Sequence, residues 1–199
     1  MTFAWFTAAL LFVLAMALTP GPNNLMATAS AATFGFRRTV PMMIGVAAGA
    51  PVMLLMLGLG VAQAVLAYPP LYEAMRWIGA AYLIWLAWQI ATAKPAEVGE
   101  PDARPPGFLK AALFQWVNPK AWVLCLSAIA TYTQPGPSQL SQILIIGGIF
   151  IPMTFFSLAI WAQFGVTMSR WLTSPLRLRV FNWTMAGLMI ASLIPAFLT

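Results

Sequence analysis

The few charged residues of this chain are grouped so that they leave uncharged, mostly apolar runs long enough to cross a bilayer. These are Thr2 to Phe36, Thr39 to Tyr72, Trp77 to Ala93, Ala121 to Ser169 and Val180 to Thr199. A hydrocarbon core about 30 Å thick takes roughly 20 helical residues. The runs are continuous rather than alternating, and each helix satisfies its own backbone hydrogen bonds in lipid, which selects helices over strands. Charged residues supply 7% of 199 positions, against the roughly 25% that a soluble domain uses. The fold class that follows is an all-α integral membrane protein.

The remaining composition removes whole classes of function. A pI near 10.1 suggests nucleic acid, but the basic residues sit at the ends of apolar runs, where cytoplasmic anchoring needs them. Cys125 has no second cysteine to pair with, and the chain contains no histidine for a metal or base site. No Lys or Arg precedes the first apolar stretch, so it reads as a retained span rather than a signal peptide. The nucleotide-binding pattern Gly-x-x-x-x-Gly-Lys-Ser/Thr is absent, so ATP does not drive the protein directly, and no cofactor is expected.

The segment Gln134-Pro135-Gly136-Pro137-Ser138-Gln139 is a strong turn signal and divides the longest run. Six spans result: within 2–35, within 41–66, 76–93, about 111–133, about 140–168 and 180–198. Alternation then puts loops near 37–38, 94–110 and 169–179 on one side. They carry eight basic residues, Arg37, Arg38, Lys94, Arg104, Lys110, Arg170, Arg177 and Arg179, against Arg76 alone opposite. Such a bias in short loops marks the cytoplasmic side, and both termini face away from it. Glu97, Glu100 and Asp102 share the 94–110 loop with four prolines and read as a solvated connector. The division is a first three-helix repeat at 1–93, a cytoplasmic linker at 94–110 and a second, inverted repeat at 111–199.

Two spans are interrupted. A straight helix through the first run would be about 51 Å long, beyond the hydrocarbon core. In its middle Thr19-Pro20-Gly21-Pro22-Asn23-Asn24 removes two amide donors and relaxes the backbone, so helices 1 and 4 are the broken ones once its counterpart is found. That counterpart is Trp116-Val117-Asn118-Pro119-Lys120, about eight residues or roughly 12 Å of helix beyond Lys110. Laying Pro22 on Pro119 also pairs Ser30 with Ser127 and Ala31 with Ala128. Further along, Pro51 meets Pro152, Trp77 meets Trp183 and Ala80 meets Ala186. Interrupted helices at matching places in inverted repeats point to a transporter's midplane binding site.

Lys120 belongs to neither loop side and lies within the membrane. A lysine there costs about 2.5–3.5 kcal/mol on insertion scales, and functional use is the default reading; snorkelling to the interface is the alternative. The expected site comprises Pro20, Gly21, Pro22, Asn23, Asn24, Asn118, Pro119 and Lys120. In it Lys120 and the amides freed at the breaks contact a substrate carboxylate, and the asparagines supply adaptable polar partners. No Asp or Glu lies in a predicted span, so backbone carbonyls must receive a substrate ammonium. Thr28, Ser30 and Ser127 either line the path or bond their own i−4 carbonyls. Gln115 and Gln163 divide the same way, while Cys125 and most tryptophans read as packing or interfacial residues.

The broken segments also carry a resemblance. Thr19-Pro20-Gly21-Pro22-Asn23-Asn24, followed by Gly35-Phe36-Arg37, Gly45 and Gly49, resembles the opening of the LysE/RhtB family of amino-acid exporters. Gly79-Ala80-Ala81-Tyr82-Leu83 and Phe114-Gln115-Trp116-Val117-Asn118-Pro119-Lys120-Ala121 are similar to that family's third- and fourth-helix segments. Trp77-Ile78-Gly79-Ala80-Ala81-Tyr82, running into Trp85-Leu86-Ala87-Trp88-Gln89-Ile90-Ala91-Thr92, looks most like the cysteine/O-acetylserine branch. Thr39 departs from the family pattern, where many members carry glycine, and the C-terminal half diverges from that branch. The resemblance implies a non-enzymatic secondary exporter of small neutral amino acids in a bacterial inner membrane. It implies an amino-acid substrate, the lipid bilayer and protons as coupling ion for partners, and leaves a homo-oligomer open. Threonine/homoserine or basic amino acids are the alternative cargo. A metal-ion exporter or an intramembrane enzyme fits less well, because the spans lack carboxylate and imidazole groups.

Overall fold

A computed structural model describes residues 1–92, 105–172, 174–191 and 194. Among these it is all-helical: α1 (Phe3–Leu18), α2 (Pro22–Phe34), α3 (Phe36–Met56), α4 (Ala62–Ala67), α5 (Pro69–Ala91), α6 (Phe108–Phe114), α7 (Pro119–Tyr132), α8 (Gln139–Ser169) and α9 (Pro175–Ala191). The segment Phe36–Val61 and α8 are each long and apolar enough to cross a membrane. The pair α1 and α2, bent by 56° at the break, makes a third. The expected linker lies outside the described residues from 94 to 104, which includes Lys94, Glu97, Glu100, Asp102 and Arg104; so does nearly all of the sixth span beyond Ala191.

Both expected breaks are present. Gly21 is extended between α1 and α2, with Pro22 at the first position of α2. Asn118 is extended between a 3-10 turn, Gln115–Val117, and α7, which also opens on proline. Proline there forfeits an N–H that a helix start leaves unbonded anyway. Pro51 and Pro152 sit inside α3 and α8.

Three expectations change. Arg37 and Arg38, read as loop residues, lie in the first turn of α3, because Gly35 alone makes the turn with φ 83°, a value that an L side chain resists. The Thr39 hydroxyl donates to the Gly35 carbonyl at 3.1 Å and meets the Ser30 hydroxyl at 3.0 Å, pinning that turn. The third span starts at Pro69 rather than 76, which takes Glu73 and Arg76 into a helix. The second span is not one regular helix. Leu57–Val61 forms a π-helical segment with Gly60 at φ 114° before α4; π segments are frequent at functional sites.

Burial of apolar area does not drive helices together in lipid, so close packing must. Gly45 lies against the Phe108 carbonyl, Gly49 against Ala112, Gly79 against the Val117 carbonyl and Gly165 against the Thr28 carbonyl. A Cβ at any of these would displace backbone, so α3 on α6, α5 on the 3-10 turn and α8 on α2 approach as closely as helices can. Small residues of α2 (Ala27, Ala29, Ala31) are buried in one core with Ala80, Ala111, Ala162 and Ala186. A second core joins Ala9, Val13, Met53, Cys125, Ala128, Ile146 and Phe150. Both cores draw on residues from before and after the linker. Away from the linker, Trp5 Nε1 donates to the Tyr132 carbonyl at 3.1 Å and the Tyr132 hydroxyl to the Ala8 carbonyl at 3.2 Å, tying α1 to α7.

Candidate functional site

The two breaks meet. Where α1 stops, its last carbonyls lose their helical donors, and side chains from three elements replace them. The Ala17 carbonyl accepts from Asn24 Nδ2 at 2.8 Å and from the Ser157 hydroxyl at 2.7 Å. The Leu18 carbonyl accepts from Trp161 Nε1 at 3.2 Å. The Thr19 carbonyl accepts from Asn24 Nδ2 at 2.8 Å and from Lys120 Nζ, which also reaches the Pro20 carbonyl at 3.4 Å. The Lys120 side chain therefore turns to the first break. Its ammonium crosses from the second break to the first and closes the end of α1, where the helix dipole places negative partial charge. A Cβ on Gly21 would come within 2.6 Å of Lys120 Cδ and 3.0 Å of Nζ. Gly21 is thus needed for space, since its extended backbone suits any residue.

The second break satisfies its own backbone. Asn118 Oδ1 accepts from the Lys120 amide at 3.1 Å, and the Asn118 carbonyl accepts from the amides of Ala121 and Trp122 at 3.0 and 3.3 Å. This corrects the expectation that both breaks offer free amides. Only α2 does: Asn23 and Asn24 in its first turn find no acceptor for their amides among the described residues. The side chains of Asn23 and Gln115 pair reciprocally, with N···O distances of 2.9 and 3.3 Å, and Gln115 also donates to the Ala111 carbonyl at 2.8 Å.

Between the breaks lies a cavity that opens partly to the outside. Asn23, Asn24, Gln115, Asn118 and Lys120 line it on one side, Thr154 and Ser157 of α8 on another, and Met16, Val46, Phe150 and Leu158 supply apolar wall. No carboxylate among the described residues lines it. Of the expected site residues, Gly21, Asn23, Asn24, Asn118 and Lys120 reach the cavity, Pro20 offers its carbonyl, and Pro22 and Pro119 start helices without lining it.

A family model, LysE type translocator, matches residues 14–194. The chain belongs to the LysE type translocators. Curated relatives at similar identity include the cysteine/O-acetylserine efflux protein of Klebsiella pneumoniae, 32% identical over 96% of this chain and 95% of that protein. The cysteine/O-acetylserine efflux proteins of Escherichia coli K12 and Salmonella typhimurium are each 34% identical over 80% of this chain and 81% of theirs. No solved structure matches. As a LysE type translocator the chain is a multi-pass membrane transport protein and not an enzyme.

Against this translocator fold, several other expectations sort plainly. Thr28 bonds its own i−4 carbonyl, that of Asn24, at 2.9 Å and also the Trp161 carbonyl at 3.0 Å. Ser30 is spent on Thr39, and neither Ser127 nor Gln163 lines the cavity. Cys125, read as packing, forms part of the cavity wall. Thr154, Ser157 and Trp161 were not singled out as a site. Their i, i+3, i+7 spacing on an otherwise apolar span is the helical stripe that would have found them.

Proposed function

We propose that this translocator exports small neutral amino acids of the cysteine/O-acetylserine kind by alternating access around the cavity between the two breaks. The observation that carries the reading is the pairing of opposite polarities there. The free amides of α2 together with Lys120 suit a carboxylate, and the carbonyl end of α1 suits an ammonium. Amide and hydroxyl groups with apolar wall between them fit a short uncharged side chain. A basic side chain would find no carboxylate to meet it. The names of the curated relatives support the same cargo. Six spans in two inverted repeats, 1–93 and 111–199 around a cytoplasmic linker at 94–110, put both termini outside the cytoplasm of a bacterial inner membrane. The matched proline starts of α2 and α7 support that symmetry. Protons are the counter-ion, and among the described residues that line the cavity Lys120 is the group able to carry one.

The test is export of labelled cysteine, O-acetylserine, threonine, homoserine and lysine from cells overproducing the protein. Cysteine or O-acetylserine should accumulate outside at least several-fold faster than from cells producing Lys120→Ala at equal level. Equal rates for all five in both strains would sink the reading.

A further inference from the structure

Lys120 makes no ion pair with a carboxylate among the described residues; its ammonium rests on two backbone carbonyls. We propose that this carbonyl pair, Thr19 and Pro20, is the substrate's ammonium subsite, and that Lys120 is its resident occupant until a substrate ammonium displaces it. The proposal rests on the amino-acid export reading and adds an exchange of partners to it.

The chemistry of the two occupants is the same. A lysine side chain and an amino acid each present a primary ammonium with three donors and no acceptor, so what holds one holds the other. The neighbouring carbonyls of Ala17 and Leu18 are closed by Asn24, Ser157 and Trp161, whose side chains are short or held by packing, and Asn24 also donates to the Thr19 carbonyl at 2.8 Å, which keeps a second lone pair for an ammonium. Lys120 is the long, flexible partner in the set, on a stem with free rotors. Thr19 and Pro20 are exposed residues that directly precede Gly21, which lines the cavity together with Lys120.

Displacement leaves Lys120 without its acceptors, and the same substrate supplies new ones. The free backbone amides of Asn23 and Asn24 follow Gly21 in the first turn of α2, and the Lys120 stem lies against Gly21, so a carboxylate held by those amides comes into the region that the stem already crosses. The zwitterion thus gives its ammonium to the carbonyls and its carboxylate to Lys120. Neither the net charge of the cavity nor the number of charge-assisted hydrogen bonds falls. A ligand with only one of the two groups breaks this balance. An amine without a carboxylate must expel Lys120 and offers it nothing in return. A carboxylate without an amine gains Lys120 only by emptying the carbonyls.

The experiment compares binding of cysteine, cysteamine and 3-mercaptopropionate to the purified full chain in detergent under a non-thiol reductant, in wild type and Lys120→Met. Removing the resident ammonium should tighten cysteamine at least tenfold and weaken 3-mercaptopropionate at least tenfold. Cysteamine binding that is unchanged or weaker in Lys120→Met overturns the exchange. Lys120→Gln makes the same two predictions and stands in if the methionine variant does not give monodisperse protein. Cysteine that fails to bind wild type removes the export reading, while the cysteamine comparison still decides who occupies the carbonyls. Cysteine binding with cysteamine indifferent to Lys120 removes the exchange alone.

Discussion

The two broken helices look equivalent in sequence and differ in what they offer. Each ends in an extended residue and restarts on proline. The first break leaves carbonyls and amides for other groups to fill, while Asn118 closes the second from within and frees its neighbour Lys120 to act at a distance. One break is a backbone site; the other is a source of side chains. The two breaks thus share a local backbone geometry while differing in the polar groups they bring to the cavity.

The sharpest way to break that comparison is to block the crossing between the two. Gly21→Val puts carbon where the Lys120 stem lies and should cut export by at least tenfold at normal protein level; an undiminished rate of labelled cysteine export would mean the crossing is idle. Next in size, Asn118→Ala removes the cap that makes the second break self-sufficient. Loss of a helix N-cap costs about 1 kcal/mol, read as a lower thermal midpoint of the purified protein. If the breaks are joined by Asn23 and Gln115, the double-mutant cycle Asn23→Ala with Gln115→Ala should show coupling of about 0.6 kcal/mol, typical of interhelical hydrogen bonds in membranes. Additive effects would make that pair incidental. The smallest effect is expected of Ser157→Ala, because the Ala17 carbonyl keeps Asn24 as a donor; a change in midpoint larger than that of Asn118→Ala would reverse the ranking.

Much of this was legible in the chain because the signals are local. Proline and glycine act on their own backbone, so Thr19 to Asn24 and Asn118-Pro119 marked the breaks without any tertiary information. Charge-free runs marked the apolar helices Phe36–Val61 and α8 for the same reason. What could not be read depends on neighbours. The direction of Lys120 is set by carbonyls about a hundred positions away, and Ser157 and Trp161 matter only because α8 lies beside the end of α1. The π segment at Leu57–Val61 was not expected, because glycines such as Gly58 and Gly60 are common in membrane helices and Gly147-Gly148 stays helical. Arg37 and Arg38 were expected in a loop and lie in a helix, since a single glycine suffices to turn the chain.

Cys125 is the chain's one thiol, fully buried in the wall of the cavity, with the Ala50 carbonyl 3.8 Å from its sulfur. That position makes it a built-in reporter. A maleimide can alkylate it only when the packing around it parts, so a change in labelling rate under saturating O-acetylserine reports whether substrate loosens or tightens that wall.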